Sequence, residues 1–246
     1  PISNFLHLFI SNWNLHLLHE ISWWTHIMLV LIFLNELPYS KHFHVVMSIP
    51  NVYFSNIENL GKMENMPSVT KEVKLMMDPN ADPYATPAAD APAPEAFGAK
   101  DVTDLNWVQL MNAYSCTECG RCTSECPANQ TGKLLSPRKI MMDTRQRLKE
   151  VGKNIDKHGK VYSDNKSLLN DYISTEELWA CTTCNACTEA CPLNIDPLSI
   201  IVDLRRHLVM EQSAAPQELN MMFNNVENNG APWQFPASDR LKWKDE

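Results

Sequence analysis

One cysteine pattern occurs twice in this 246-residue sequence. The segment from Cys116 to Pro127 is CTECGRCTSECP, and the segment from Cys181 to Pro192 is CTTCNACTEACP. Each has the spacing C-x2-C-x2-C-x3-C followed by proline. In iron–sulfur proteins this spacing wraps three thiolates round one [4Fe–4S] cluster, while the fourth cysteine binds the neighbouring cluster. The sequence therefore predicts two clusters with exchanged ligands.

The exchange assigns the cysteines to two ligand sets. Set one, for cluster 1, is Cys116, Cys119, Cys122 and Cys191, and set two, for cluster 2, is Cys181, Cys184, Cys187 and Cys126. The chain has 8 cysteines, so none is left for a disulfide or a catalytic nucleophile. Free thiolates of this kind persist in a reducing compartment, which indicates the cytosolic side of a membrane.

Two other uses of the cysteines are weighed. Zinc sites also use C-x2-C pairs, but they join two pairs from separated turns, whereas each run here crowds four cysteines together. A disulfide framework is disfavoured for the same reason, because such close cysteines would not staple long loops. The double motif favours iron–sulfur clusters over both.

Composition excludes several classes of function. A formal net charge of -8 argues against nucleic-acid binding. The nucleotide-binding patterns G-x-G-x-x-G and G-x-x-x-x-G-K-[ST] do not occur in the sequence, nor do the hydrolase patterns G-x-S-x-G and H-E-x-x-H. The sequence begins at Pro1 rather than Met, and we expect it to be a fragment of a longer protein.

Residues 1–48 differ from the rest and predict a membrane segment. Their first forty residues contain only two charged residues, Glu20 and Glu36. A single tilted helix from His19 to Met47 would be long enough to span a bilayer, with Trp23 and Trp24 as an aromatic belt. Pro38 is expected to kink it. An interfacial or buried core helix is the alternative, and no cleavage site follows that would indicate a signal peptide.

Basic residues follow this segment on its C-terminal side. They are Lys41, Lys62, Lys71 and Lys74. The positive-inside rule then places that side in the cytoplasm, in agreement with the redox argument.

His26 and His44 are candidate haem ligands. They lie eighteen residues apart, which in one continuous helix is five turns, one face and roughly 27 Å. Ligands so far apart cannot bind the same haem, so each would share its own haem b with a histidine of another helix. His16, His19 and His42 are not excluded by spacing, and a histidine with an ordinary polar partner is the alternative interpretation.

The run HIMLVLIFLNELPYSKHFH resembles the last membrane helix of the respiratory nitrate reductase gamma-subunit family, a dihaem cytochrome b. That family has a PFSR-like turn where this chain has Pro38, Tyr39, Ser40 and Lys41. The resemblance implies a haem-ligand role for His26 and His44. The other two ligands would lie on an upstream helix that this chain lacks.

The remainder predicts a mainly α protein. Residues 49–77 form a juxtamembrane helical segment, residues 78–99 an Ala/Pro-rich linker, and residues 100–246 an α-helical ferredoxin domain with two [4Fe–4S] motifs. The domain repeats a helix–motif–helix unit with an offset of 65 residues between Cys116 and Cys181. Before the first motif, residues 101–115 form an amphipathic helix, and before the second, Ser174 and Glu177 form a capping box. After the motifs, Ser136 with Pro137 and Asp196 with Pro197 open helices, the first of which ends at Gly152.

Two smaller predictions concern side chains round the clusters. Arg138, Lys139, Arg145, Arg205 and Arg206 are interpreted as solvated helix faces, with cluster-charge compensation or partner docking as the alternative. Met221, Met222 and Phe223 are expected to pack under the second cluster.

From about residue 96 onward the chain resembles iron–sulfur subunits of the heterodisulfide reductase-like family. The resemblance is carried by CTECGRCTSECPANQTGKLLSPR, CTTCNACTEACPLNIDP and NNGAPW, although Gly230 and Ala231 before Pro232 depart from the family's Asn-Pro-Trp-Gly turn. Membrane-bound members of this family combine such a domain with a nitrate-reductase-gamma-like helix. They often continue into cysteine-rich CCG domains, which this sequence lacks.

These features predict an electron-transfer subunit at the inner face of the cytoplasmic membrane. Electrons would pass between a haem b or quinone membrane module and a cytosolic redox partner, which could carry CCG domains, through the two clusters. Two alternatives stay open: the clusters could be structural, or the chain could be a catalytic heterodisulfide-reductase-like or dehydrogenase subunit.

Overall fold

The computed structural model describes residues 12–40, 42–63, 65–78, 96–160 and 162–244. Within these ranges the chain is helical and has no β-strand, only an isolated bridge between Leu169 and Ile173. This confirms the predicted mainly α fold, with an apolar N-terminal helix and a helical cluster domain. Lys41 and most of the predicted linker, residues 79–95, lie outside the described residues.

Among the described residues, three α-helices precede the cluster domain. They are α1 (Asn12–Glu36), α2 (Phe43–Tyr53) and α3 (Pro67–Met77). The stretch Asn14–Tyr39 has a mean hydropathy of 1.6 and is long and apolar enough to cross a membrane. No part of its most apolar window is buried against the protein.

The prediction of one helix from His19 to Met47 is wrong. Helix α1 ends at Glu36, a 3-10 turn follows at Leu37–Tyr39, and α2 begins at Phe43. Pro38 causes the break, because it has no N–H and its ring clashes with the preceding helical turn. The hydroxyl of Ser40 then accepts a 3.1 Å hydrogen bond from the N–H of His42 in the turn before α2.

The cluster domain is built from eight helices. They are α4 (Trp107–Ser115), α5 (Arg121–Ser124), α6 (Pro127–Gln130), α7 (Pro137–His158), α8 (Thr175–Ala180), α9 (Ala186–Glu189), α10 (Pro197–Arg206) and α11 (Gln217–Asn229). Short 3-10 helices cover Val102–Asp104 and Ala237–Lys244, a single irregular turn covers Leu168–Asp171, and a π-helix, His207–Glu211, extends α10.

The helix starts follow the predicted chemistry. The side chain of Ser136 accepts from the N–H of Lys139, and that of Asp196 accepts from the N–H groups of Leu198 and Ser199. Ser174 and Glu177 form the predicted capping box. These caps satisfy backbone N–H groups that have no partner in the first turn of a helix.

The predicted end of α7 at Gly152 is wrong. The helix continues to His158 and stops at Gly159, whose φ of 84° is left-handed. A glycine within a helix costs only about 1 kcal/mol relative to alanine, so the neighbouring turns carry the helix through Gly152.

The core lies between α7 and α10, so both halves of the repeat share it. Ile140 and Met141 of α7 and Ile200, Ile201 and Leu204 of α10 are almost completely buried. Buried Arg147 of α7 adds an ion pair with Asp101 at 2.7 Å and another with Asp164 at 2.6 Å, which tie the start of the domain to the segment between the motifs.

The C-terminal prediction is wrong for two of its three residues. Helix α11 has no buried residue, and the side chains of Met221 and Phe223 are 49% and 40% exposed. Leu178, Ile200 and Leu204 already fill the interior beside the second motif, so α11 lies on the outside of the domain.

Helix α2 is docked on the cluster domain. It runs antiparallel to α4, with the Phe43 and Tyr114 rings 5.8 Å apart at one end and the Phe54 and Trp107 rings 4.8 Å apart at the other. Buried Asn51 donates a 2.8 Å hydrogen bond to the carbonyl of Leu193. The segment that follows the apolar helix is therefore part of the cluster domain's surface.

Candidate iron–sulfur centres

The structure brings the four thiols of set one together. Burial is the largest cause that raises the pKa of Cys116, and the nearby thiols of Cys191 and Cys119 raise it further. The pKa of Cys122 is raised in the same way, first by burial and then by Cys116, Cys191 and Cys119. Cys191, from the second motif, therefore lies beside the first three cysteines of the first motif.

Set two is grouped in the equivalent way, with the roles of the two motifs exchanged. Burial raises the pKa of Cys181, with further contributions from Cys126 and Cys184. Burial also raises the pKa of Cys187 to about 12, and Cys181 adds to it. Cys126, the last cysteine of the first motif, thus lies beside the second motif.

Each set has an exposed rim, formed by Cys119 and Cys184, the second cysteines of the two motifs. The sets differ behind that rim: Cys126 and Cys187 of set two are buried, whereas the other three cysteines of set one are half-buried. Among the described residues, no three His, Cys, Asp or Glu side chains are close enough to hold a single metal ion. In a [4Fe–4S] cluster each thiolate binds its own iron, and four thiolates complete the cluster, which is the number of cysteines in each set.

The two C-x2-C loops share an unusual backbone. Glu118 and Thr183 have φ values of 60° and 56°, and the residues two positions later, Gly120 and Asn185, have φ values of 82° and 61°. Glycine and asparagine are the residues that tolerate this left-handed region most readily. The sequence repeat places Gly120 and Asn185 at equivalent positions, but residue types alone did not reveal the shared loop shape.

This backbone directs N–H groups at sulfur atoms. The N–H of Arg121 donates to Cys119 and is the largest cause that lowers the pKa of that thiol. The N–H of Glu118 donates to Cys116, and the N–H of Thr183 lies 3.5 Å from the Sγ of Cys181. Such hydrogen bonds stabilise thiolates and tune the potential of a bound cluster.

Two arginines also face the centres. Arg145 in α7 donates a 3.1 Å hydrogen bond to the carbonyl of Cys116 and pairs with Glu118. Arg205 in α10 donates a 2.6 Å hydrogen bond to the carbonyl of Cys181 and lies over the Trp179 ring at 4.9 Å. The interpretation of these two arginines as a solvated helix face is wrong.

The other basic residues of that prediction differ among themselves. Arg138 is exposed, as expected. Lys139 forms a 2.8 Å ion pair with Glu177, and Arg206 forms a 3.0 Å ion pair with Asp203. Only Arg145 and Arg205 reach the backbone of a predicted ligand among the described contacts of these five residues.

The model of the 4Fe-4S dicluster domain family matches residues 115–195, which contain all eight cysteines. Residues 115–195 form a 4Fe-4S dicluster domain. The match covers the sequence between the two motifs as well as the motifs themselves. It supports iron–sulfur clusters rather than zinc or disulfides.

Longer similarities extend over most of the chain. It is 32% identical to the probable iron-sulfur-binding oxidoreductase FadF of Bacillus subtilis, over 92% of this chain and 33% of the relative. It is also 32% identical to the EtfAB:quinone oxidoreductase of Syntrophomonas wolfei, over 93% of this chain and 31% of the relative. A probable membrane-anchored ferredoxin of Chromohalobacter salexigens is 35% identical, over 63% of this chain and 25% of the relative.

A methanogen protein extends the comparison to heterodisulfide reductases. One component of the ferredoxin/F(420)H(2)-dependent CoB-CoM heterodisulfide reductase of Methanosarcina acetivorans is 33% identical, over 48% of this chain and 60% of the relative. The predicted kinship with heterodisulfide reductase-like iron–sulfur proteins is thereby confirmed. The dicluster domain follows an apolar helix that is long enough to cross a membrane. The chain spans about a third of the length of FadF and of the quinone oxidoreductase.

The two candidate haem ligands lie in different helices. His26 is exposed in the middle of α1, and His44 is half-buried in the first turn of α2. Because the turn at Leu37–Tyr39 separates them, the argument that they share one helix face at roughly 27 Å no longer applies. Their role as ligands stays a prediction.

Proposed function

We propose that the chain is the electron-transfer part of a membrane-associated oxidoreductase. Electrons pass between a haem b or quinone module in the cytoplasmic membrane and a water-soluble redox partner, through one [4Fe–4S] cluster at set one and one at set two. The cluster domain lies on the cytoplasmic side. Lys62, Lys71 and Lys74, which follow the apolar helix, favour that orientation.

The observation that carries the proposal is the docking of α2 between the apolar helix and the clusters. The hydroxyl of Ser115, next to Cys116, lies 3.2 Å from the carbonyl of Met47. The amide of Asn51 holds the carbonyl of Leu193, two residues beyond Cys191. A flexible tether would leave the clusters at a variable distance from the membrane. The docked helix α2 instead favours a fixed, short distance between the clusters and the end of the apolar helix.

The chain's own residues set the conditions for electron transfer. When bound, a [4Fe–4S] cluster supplies reversible one-electron chemistry. The thiolates of each set hold the iron, the N–H groups of Arg121 and Thr183 face sulfur atoms, and the burial of Cys126 and Cys187 shields set two from water. The exposed rims at Cys119 and Cys184 leave each centre accessible to a partner.

The names of two relatives indicate what could lie at the two ends. The Syntrophomonas relative is named for EtfAB and a quinone, and the Chromohalobacter relative is named as membrane-anchored. We propose EtfAB as a candidate water-soluble partner and a quinone as the candidate membrane partner. The partner of the membrane helix could also be a cytochrome b module, and the soluble partner could carry CCG domains.

Potentiometric EPR on the full chain, loaded with iron and sulfide in lipid vesicles, tests the proposal. We expect two reducible [4Fe–4S] signals that interact magnetically, and oxidation of reduced clusters by a quinone analogue added to the vesicles. Redox-silent clusters would instead support a structural role. Turnover of a disulfide or an organic acid by the chain alone would support the catalytic alternative.

The haem proposal for His26 and His44 needs a separate test. In the complete protein, with any further membrane helices present, His26→Ala and His44→Ala should each lower the b-type absorbance. His158→Ala is the control, since exposed His158 lies in α7, outside the apolar segment. Full absorbance in both the His26 and His44 variants would refute the proposal.

A further inference from the structure

The antiparallel pair α2 and α4 relates the two motifs to the membrane helix. Eleven residues of α2 rise by about 16 Å, so its two ends are clearly separated. The near end begins at Phe43, directly after the turn that leaves α1, and the ring of His42 there lies 6.3 Å from Phe33 of α1. The far end leads through Phe54 into the loop of residues 54–63.

The first motif starts at the near end. The Tyr114 ring contacts Phe43, and Ser115 lies beside Met47. Since α4 ends at Ser115, its last turn delivers Cys116 on the side from which the membrane helix arrives. Cys116 belongs to set one.

The second motif faces the far end. A cavity of about 440 Å³ is lined by the loop of residues 54–63, by the N-terminal end of α4, and by Thr183 and Asn185, which flank Cys184. Within that loop, a Cβ on Gly61 would lie 3.8 Å from the side-chain nitrogen of Asn185. The loop that carries Cys184, a member of set two, therefore lies beyond the far end of α2.

We propose that set one is the membrane-side relay and set two the outer relay. Electrons then follow the order membrane module, set one, set two and water-soluble partner, in either direction. The inference rests on the proposed electron-transfer function and adds to it the sequence of the centres. The rim of set two, residues 182–185, has no charged side chain, whereas Glu118 and Arg121 flank Cys119 at the rim of set one. The outer rim would thus bind its partner through hydrogen bonds and shape more than through ion pairs.

Spin labels at two exposed positions test the order. Tyr39, at the end of the apolar helix, and Ile57, in the far loop, are 88% and 92% exposed. Each is replaced in turn, in the full chain with iron and sulfide, by a non-natural residue that carries a dysprosium(III) chelate without using cysteine chemistry. Dithionite does not reduce this ion, and its spin relaxes faster than that of a reduced cluster. Dithionite then reduces the clusters, and the spin-relaxation rate of each cluster signal is measured.

We expect the Tyr39 label to accelerate relaxation of the set-one signal several-fold more than that of the set-two signal. The Ile57 label should do the reverse. The signals are assigned with the matched variants Cys119→Ser and Cys184→Ser, which alter exposed ligands of set one and set two. If a serine variant loses its cluster, the remaining signal is assigned by elimination.

The reverse preference, or equal relaxation of both signals by both labels, would overturn the proposed order. Dithionite reduces the clusters whether or not a quinone does. A chain that fails to exchange electrons with a quinone therefore contradicts the proposed function, while its label distances still decide the order of the centres.

Discussion

Arg145 and Arg205 occupy equivalent places in the two halves, nine residues beyond the caps Ser136 and Asp196. Their electrostatic settings differ. The charge of Arg145 is offset by its ion pair with Glu118. Arg205 has no carboxylate partner among its described contacts; it donates to the carbonyls of Leu178 and Cys181. A positive charge beside a cluster favours the reduced form, so Arg205 should raise the potential of its centre more than Arg145 does.

Arg205→Gln should therefore lower the midpoint potential of the set-two cluster by tens of millivolts. Arg145→Gln is the matched variant and should lower the potential of the set-one cluster while leaving that of set two nearly unchanged, because each arginine lies beside its own centre. Arg205→Lys should restore much of the potential, since it keeps the charge without the guanidinium geometry. EPR-monitored redox titration measures all three, and an unchanged set-two potential in Arg205→Gln would contradict the expected charge effect.

Gly98 is required by a close approach of two backbone segments. Its φ is 70°, and a Cβ there would lie 2.3 Å from the carbonyl oxygen of Asp203 and 2.6 Å from the nitrogen of His207. The neighbouring N–H of Ala99 donates to the same carbonyl at 3.0 Å. The last residues of the predicted linker are therefore fixed against α10.

Gly98→Ala should lower the free energy of unfolding by about 2 kcal/mol or more, because it adds a backbone clash to an unfavourable φ. Gly132→Ala is the control: its φ of 80° is also left-handed, but a Cβ there meets nothing within 4 Å. We expect the control variant to lose about 1 kcal/mol in free energy of unfolding. Chemical denaturation measures the free energy of unfolding of both variants. Equal decreases would show that the close approach of Gly98 to α10 does not contribute to stability.

At the scale of helices, the sequence predicted where helices begin better than where they end. Ser136, Ser174 and Asp196 cap helices as expected, because a cap depends on residues within one turn. Pro38 indicated a kink in the apolar stretch from His19 to Met47, but it did not indicate that α1 ends at Glu36 and that a separate helix begins at Phe43. Gly152 did not end α7, because a glycine that keeps helical geometry only weakens a helix.

The sequence did not predict the contacts between helices as well as it predicted the helices themselves. The spacing of the cysteines predicted the two centres, but the contacts of Arg145 and Arg205 depend on how α7 and α10 cross the motifs. The docking of α2 depends on Asn51, a polar residue in an apolar helix, whose partner Leu193 is 142 residues away. No local pattern encodes a contact of that length.

Asn51 is the residue on which docking of α2 can be tested. Its amide nitrogen donates to Leu193, its side-chain oxygen has no partner among the described atoms, and the residue is buried. Asn51→Asp would bury a carboxylate against a carbonyl oxygen and remove the donor, at a cost of several kcal/mol. The variant should therefore release α2 from the cluster domain.

Hydrogen exchange of residues 43–55 measures that release, with faster exchange expected in Asn51→Asp. Asn56→Asp is the control, because exposed Asn56 accepts a hydrogen bond from the N–H of Glu58 and a carboxylate can do the same. Slow exchange in both variants would mean that the contact of Asn51 is not needed for docking.

At the scale of the whole molecule, the fourth cysteines are predicted to join the two halves by exchange. Buried Cys126 of the first motif lies beside Cys181, and Cys191 of the second motif lies beside Cys116. The shared core between α7 and α10 supports the same arrangement, because neither half has an interior of its own. Loss of one fourth ligand should thus affect the centre of the opposite motif.

Cys126→Ser should alter the same EPR signal as Cys184→Ser, and Cys191→Ser the same signal as Cys119→Ser. Because Cys126 is buried and serine is a weaker ligand, the Cys126 variant could release its cluster, and its iron content would then fall by roughly four atoms per chain. The remaining signal would still be that of set one. If Cys126→Ser altered the signal of Cys119→Ser instead, each motif would hold its own cluster. The two halves would then be joined by their shared core alone.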